Sequence, residues 1–239
     1  MIKVMVNGAL GKMGSLACEA IEADEALTLI KATRKDDLVK AIHAFSPEVV
    51  LDLTEPQSVY ENAKTIVDQN VRPIIGTSGL TKKAVDSLTQ HCKEKRLGGM
   101  IVPNFSLGAA LMMRFSKMAA HYFDHAEIIE GHHFQKKDAP SGTSIQTAEM
   151  MTSVRKNAVY SGKEHHPGAT GANINNVPVH AIRLPGMLAH QQVLFGGDGE
   201  RLTITHDSTD RQCFMRGILL CCHHVMTIHH LLYGLDTIL

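Results

Sequence analysis

The first hundred residues alternate short apolar runs with stretches whose apolar positions recur at helical spacing. Ile2 to Val6 predicts a strand, Gly8-Ala9-Leu10-Gly11-Lys12-Met13-Gly14 a tight turn, and Met13, Leu16, Ala17, Ala20 and Ile21 one face of a helix. Leu27 to Thr33 reads as a second strand. Val49 to Thr54 reads as a third, almost wholly apolar and therefore of the kind buried on both faces of a parallel sheet. Pro56 and Ser58 open a helical pattern through Asp68, and Val71 to Ile75 is a fourth strand. Thr81 is placed to cap a helix through Lys95, and Gly99 to Val102 is a fifth strand. This alternation predicts a doubly wound α/β sheet of Rossmann type, which binds ligands beyond the carboxyl ends of its strands.

After Leu107 the pattern changes. Leu107 to Phe123 has a long helical periodicity (Leu111, Met112, Phe115, Met118, Ala119, Tyr122) whose apolar side is expected in the core. Ala126 to Glu130 is a strand, and Ser141 or Ser144 to Arg155 a helix. Residues 157–176, rich in Gly, Asn, His and Pro, read as an irregular excursion. Strand-like runs at Val177 to Leu184, Gln191 to Phe195 and Arg201 to Thr205 follow at hairpin-like separations, which predicts a second α+β domain with a mixed sheet. Phe214, Ile218, Cys221, Cys222, Val225, Ile228 and Leu232 fit one long final helix. The expected division is 1–106 for dinucleotide binding and 107–211 for substrate binding and oligomerisation, with the helix in 212–239 packing back on the first domain.

Charge and composition narrow the function classes. Lys plus Arg (24) equals Asp plus Glu (24), which gives no basic surplus for nucleic acid or a membrane surface, and no apolar run nears the ~20 residues of a membrane span. The start moves directly into a strand pattern without secretory-signal features, so a cytoplasmic protein is expected. Five cysteines without paired spacing are expected as free, buried thiols. Cys221-Cys222-His223-His224 and His229-His230 lack metal-site spacing, and no metal is expected.

Two stretches carry candidate chemistry. In the strand, turn and helix at the start, Gly8 can make the tight turn, Gly11 can let the backbone approach a pyrophosphate, and Gly14 can allow close helix packing. At the end of the second strand Thr33, Arg34 and Lys35 stand where a carboxylate would favour NAD and a cation the 2′-phosphate of NADP, so NADPH is the expected cofactor, with NADH possible. From Glu130 to Thr143 the chain reads Glu-Gly-His-His-Phe-Gln-Lys-Lys-Asp-Ala-Pro-Ser-Gly-Thr. His132, His133 and Lys136 can move protons or hold negative charge, and Ser141-Gly142-Thr143 at a helix start can seat an anion.

That stretch matches E-x-H-H-x-x-K-x-D-A-P-S-G-T at every specified position and so resembles the dihydrodipicolinate reductase family. Gly8 to Gly14, Gly76-Thr77-Ser78-Gly79, Asn104-Phe105-Ser106 and Ile204-Thr205-His206 extend the similarity over nearly the whole chain. The resemblance implies an NAD(P)H-dependent reductase acting on a small cyclic dicarboxylic imine in the diaminopimelate route to lysine, assembled as a homotetramer through the second domain's sheet. By position it makes His132 the acid/base and Lys136 the proton donor, with His133, Ser141, Gly142 and Thr143 on the substrate. It assigns dinucleotide contacts to Gly8, Ala9, Leu10, Gly11, Lys12, Met13, Arg34, Gly76, Thr77, Ser78, Val102, Pro103, Asn104 and Phe105, with Arg211 and Phe214 as further candidates. Thr33 departs from the acidic residue of many members, and the stretch between the second and third strands is shorter than in many bacterial ones. Glu130, Asp138 and Pro140 are expected to shape the loop. Two alternatives stay open: another NADP-dependent dehydrogenase with a nucleophilic cysteine, for which Cys92 in a charged helical pattern fits poorly, and an NADPH-sensing module without turnover.

Overall fold

The structure is a computed structural model and describes residues 1–155, 158 and 162–239. The chain forms two units, Met1–Leu107 with Arg211–Leu239, and Gly108–Asp210. In the first, strands β1 (Ile2–Asn7), β2 (Leu27–Ala32), β3 (Val49–Asp52), β4 (Arg72–Ile75), β5 (Gly99–Ile101) and β11 (Leu231–Tyr233) form one sheet of order β11-β5-β4-β3-β1-β2. Every neighbouring pair is parallel. Val4, Met5, Val6, Val49, Val50 and Leu51 are fully buried, which is why these strands read as continuous apolar runs rather than as an alternation.

Helices α1 (Lys12–Glu22), α3 (Val59–Asp68) and α4 (Lys82–Glu94) connect these strands where helical spacing predicts them. Thr81 caps α4 by accepting a hydrogen bond from Ala84 N. A further helix, α2 (Leu38–Phe45), has no counterpart in the sequence reading, because only Ile42 on it is fully buried and its apolar stripe is short. The long final helix is the main correction. Helix α7 (Met215–His224) is followed by a 3-10 turn (Val225–Thr227), strand β11 and a last 3-10 turn (Leu235–Ile238). Leu231 to Tyr233 gain the backbone partners that the exposed edge of β5 offers, and Gly234, with φ 92°, turns the chain afterwards. The sheet therefore has six strands rather than five.

The second unit holds a mixed sheet of order β10-β9-β6-β8-β7, built from β6 (His125–His132), β7 (Ala172–Ile174), β8 (Val177–Arg183), β9 (Ala189–Gly197) and β10 (Glu200–Ser208). Only β6 and β8 run parallel. Helices α5 (Leu107–Ala119) and α6 (Gly142–Thr152) cover one face, burying Met112, Met113 and Met151 with Ile128, Val179, Val193 and Phe195. Of the stretch read as irregular, residues 157 and 159–161 lie outside the described residues, and β7 is an addition. Helix α5 ends before Phe123, whose ring turns back to pack 5.7 Å from that of Phe195. Its apolar side is also split: the face that meets the core runs Ala109, Met112, Met113, Ser116 and Ala119, whereas Leu111, Phe115 and Met118 stand on the exposed face and Tyr122, exposed too, lies beyond the helix.

The return of the C-terminal segment rests on close backbone approach. A Cβ at Gly217 of α7 would stand 1.9 Å from Phe105 O. Gly217→Ala should therefore cost about 1–3 kcal/mol through overpacking and lower the melting temperature by roughly 2–10 °C in thermal denaturation followed by circular dichroism. An unchanged melting temperature would show that the contact yields at no cost.

Candidate active site

The first unit presents a cavity of about 440 Å³ lined by Gly8, Leu10, Gly11, Thr33, Arg34, Lys35, Leu53 and Thr54. It lies beyond the carboxyl ends of β1, β2 and β3, where the strand order reverses around β1. The glycines make it possible. Gly8 has φ 95°, and a Cβ there would stand 2.6 Å from Leu53 O; one at Gly14 would stand 2.1 Å from Gly8 O. Gly11 is the N-cap of α1 without a side-chain cap, so the N–H groups of Lys12 and Met13 stand in an uncapped first turn. Ala9 is buried with its N–H donating to Ala32 O. Leu10 is exposed. These residues fit a dinucleotide: a backbone turn free of side chains, a helix start for phosphate, and cations beside the second strand.

The two acidic neighbours of those cations are occupied by the backbone. Asp36 accepts from Thr33 N at 2.6 Å, and Asp37 caps α2 by accepting from Lys40 N. Arg34 pairs with Glu55 at 3.1 Å between exposed side chains, a weak and exchangeable contact.

Gly76, Thr77 and Ser78 after β4, and Val102, Pro103, Asn104 and Phe105 after β5, do not line that cavity. They are joined to each other instead. Val102 N donates to Ile75 O, Asn104 Oδ1 accepts from Ser106 N, and Phe105 lies so close to Gly76 that a Cβ there would meet its ring at 2.5 Å. Thr77 donates to Asp52 at 2.6 Å. Asp52 is fully buried and also accepts from Asn7 and Asn62 (2.9 Å each) and Thr54 (2.8 Å), tying together the ends of β1, β3 and β4. Arg211 and Phe214 form a 3-10 turn, and neither lines the cavity.

In the second unit β6 delivers His132 as its last residue, and His133 to Lys136 turn, with Lys136 N donating to His133 O. Lys136 Nζ donates to both carboxylate oxygens of Asp138 at 2.8 Å, which holds the Asp138 carboxyl below the usual carboxylate range. Ser141 is the N-cap of α6: its buried hydroxyl accepts from Ser144 N. Gly142 and Thr143 follow in the first turn, and a Cβ at Gly142 would meet nothing within 4 Å, so the backbone there is open to a ligand. The local stretch 132–143 thus brings an imidazole, an ammonium and a helix N-terminus together.

Beneath them lies a group with a larger part than loop shaping. Glu130 is fully buried and accepts from His132 Nδ1 at 2.5 Å, from Arg183 Nη1 and Nη2 at 3.0 and 2.9 Å, and from Ser141 N at 3.3 Å. Burial alone would raise its pKa, but the hydrogen bonds from His132 and Arg183 outweigh burial and hold the carboxyl below the usual range. Arg183 went unremarked in the sequence, although a signal exists. In Val177, Val179, Ala181, Arg183 the alternation places the arginine on the core side of β8, where an ion needs a partner. Glu130 and His132 are likewise two apart on one strand and so share a face.

The other candidates for chemistry recede. Burial pushes the Cys92 thiol up to about 11 and Cys222 up to about 12, and raises Cys221 further, the opposite of an activated nucleophile. His223 bonds Asp24 at 2.9 Å and so ties α7 to the end of α1. Among the described residues no group of three or more His, Cys, Asp or Glu could hold a metal, and no helix is long and apolar enough to cross a membrane.

Comparison with known proteins gives one answer over the whole chain. Residues 2–105 match the family model for the dihydrodipicolinate reductase N-terminus and residues 108–239 that for its C-terminus. A 4-hydroxy-tetrahydrodipicolinate reductase of Legionella pneumophila (strain Lens) is 51% identical over 240 residues, covering 99% of each chain. One of Coxiella burnetii is 48% identical over 242 residues, covering 100% of this chain and 99% of the other. The solved dipicolinate-bound dihydrodipicolinate reductase from Paenisporosarcina sp. TG-14 superimposes with a TM-score of 0.88 at 40% identity, covering all of both chains. With two family models that together span the chain, a reductase fold throughout and relatives at half identity, this chain belongs to the dihydrodipicolinate reductase family, whose members are pyridine-nucleotide-dependent reductases.

Proposed function

We propose that this chain reduces 4-hydroxy-tetrahydrodipicolinate to tetrahydrodipicolinate in the diaminopimelate route to lysine, with NADPH as the preferred nucleotide. The observation that carries the reading is the juxtaposition of His132, Lys136 and the open first turn of α6 within one short stretch of a chain 51% identical to a reductase of that name. Replacing the substrate's hydroxyl by hydrogen consumes a hydride and a proton and releases water. The bound nucleotide supplies the hydride. The protein's own residues handle the rest: Lys136 donates the proton to the electron density left on the conjugated imine, and His132 serves as the acid/base beside it. His133 and the N–H groups of Gly142 and Thr143 hold the two carboxylates; the related protein from Paenisporosarcina carries dipicolinate, a cyclic dicarboxylate. Ser141, expected on the substrate, instead caps that turn: its N–H donates to Glu130 and its hydroxyl accepts from Ser144 N and donates to Ser144 Oγ, which itself donates to Gln191, so binding there uses backbone donors.

In the first unit the loops at Gly8 to Met13, Gly76 to Ser78 and Val102 to Phe105 hold the dinucleotide. Thr33 and Arg34 receive the adenosine 2′-phosphate, with Lys35 lining the same cavity. Preference for NADPH is favoured because Asp36 and Asp37, the next residues in the chain, are spent on backbone N–H groups, and Glu55 meets Arg34 only through an exposed, exchangeable contact. The chain works as a homotetramer in the cytoplasm. The sheet face turned away from α5 and α6, with Ile129, Ile182 and Leu194 on it, supports assembly through the second unit, and five free cysteines suit a reducing compartment.

Two outcomes are expected. With freshly generated substrate, kcat/KM is higher with NADPH than with NADH, and Arg34→Ala narrows that ratio about tenfold or more, the value of a charge-assisted contact; a higher efficiency with NADH in the unaltered protein would sink the cofactor assignment. Lys136→Ala lowers kcat by roughly 10²- to 10⁴-fold while the dissociation constant for NADPH, read by fluorescence titration, stays within about twofold. Near-normal turnover would remove Lys136 from the mechanism.

A further inference from the structure

We propose that Glu130 and Arg183 are the positioning pair of this site: the Glu130 carboxylate, clamped by Arg183, accepts the Nδ1 proton of His132, so that Nε2 is the nitrogen that exchanges a proton with the substrate. The inference rests on the acid/base reading of His132. Its geometry is independent of that reading. Glu130 is fully buried, and both of its oxygens are engaged by the two Arg183 nitrogens at 3.0 and 2.9 Å. A buried carboxylate so paired stays ionised and can only accept hydrogen bonds. The 2.5 Å contact with His132 Nδ1 therefore requires a proton on Nδ1. With that nitrogen committed, a neutral His132 carries its lone pair on Nε2, as in other sites where a carboxylate fixes the tautomer of an acid/base histidine.

The same pair reaches the other half of the site. Arg183 Nη2 donates to Asp138 O at 2.7 Å, and Glu130 Oε1 accepts from Ser141 N, so the segment between Lys136 and α6 hangs from this clamp at both ends. Asp138 in turn holds Lys136 Nζ. One buried ion pair thus sets the tautomer of the imidazole, the path of the loop carrying the ammonium, and the start of the helix.

Glu130→Gln tests the assignment. An amide can either accept from Nδ1 or donate to it, so it no longer dictates the tautomer. The expected result is a fall in kcat of at least about tenfold with the KM for NADPH within twofold, and a His132 ring that passes from the Nδ1–H tautomer to a mixture in nitrogen-15 NMR. A kcat within twofold of the parent, or a ring still protonated only at Nδ1, overturns the inference. If the amide variant fails to fold, Glu130→Asp, which keeps a charge for Arg183 but shortens the reach by one methylene, is read by turnover alone: a fall in kcat of at least about tenfold is expected, and a kcat within twofold of the parent overturns the inference. His132→Gln separates the two claims. Turnover retained in that variant defeats the acid/base reading itself, whereas an inactive His132→Gln beside an unaffected Glu130→Gln defeats only the positioning role.

Discussion

The second unit depends on keeping one carboxylate charged in its interior. Moving an ion of that size out of water costs several kcal/mol, which a single hydrogen bond of about 1.5–3 kcal/mol does not offset. Glu130 meets the cost with Arg183 on β8, His132 on its own strand and Ser141 N at the start of α6. The topology supplies those partners. Because β6 and β8 are parallel neighbours with Glu130 opposite Ala181 and His132 opposite Arg183, the guanidinium reaches the carboxylate from the adjacent strand on the same face. The α6 crossover between those strands brings its own N-terminus to the same spot.

The first unit solves a related problem by other means. Asp52 is as buried as Glu130, yet its donors are the neutral side chains of Asn7, Thr54, Asn62 and Thr77. It ties the loops after β1, β3 and β4 together at the carboxyl edge of the sheet, where the parallel arrangement leaves room for a ligand. In this unit shape comes from glycines, since Gly8 and Gly14 sit where a Cβ would collide with backbone. Loops around a side-chain-free turn suit recognition of a dinucleotide, whereas the second unit uses charge to organise the imidazole and ammonium groups proposed to move protons.

Local signals were legible in the sequence and pairings across the chain were not. Strand, glycine turn and helix at Ile2 to Ile21 appear where periodicity places them, as does the cap at Thr81, because each is settled within a few residues. The motif from Glu130 to Thr143 likewise names His132, Lys136 and the α6 start. What the sequence left out is long-range. Arg183 lies 53 residues from Glu130, and Asp52 lies 45 from Asn7 and 25 from Thr77. The segment Leu231–Tyr233 has helical spacing with α7 but is drawn into the sheet by the free edge of β5, a tertiary override of local pattern. The exposed side of α5 shows the same limit, since periodicity finds an apolar stripe without saying which side the sheet takes.

The proposed reaction passes a hydride from a nicotinamide to 4-hydroxy-tetrahydrodipicolinate, with the protein's own residues supplying the proton. The most direct measurement is mass spectrometry of the product formed from freshly generated substrate with NADPH deuterated at C4, each face in turn, and again with ordinary NADPH in deuterated water. One deuterium from the nucleotide, from a single face, and one from solvent at a different position are predicted in tetrahydrodipicolinate. Nucleotide oxidation without deuterium in the product, or no turnover of this substrate, would rule that reaction out.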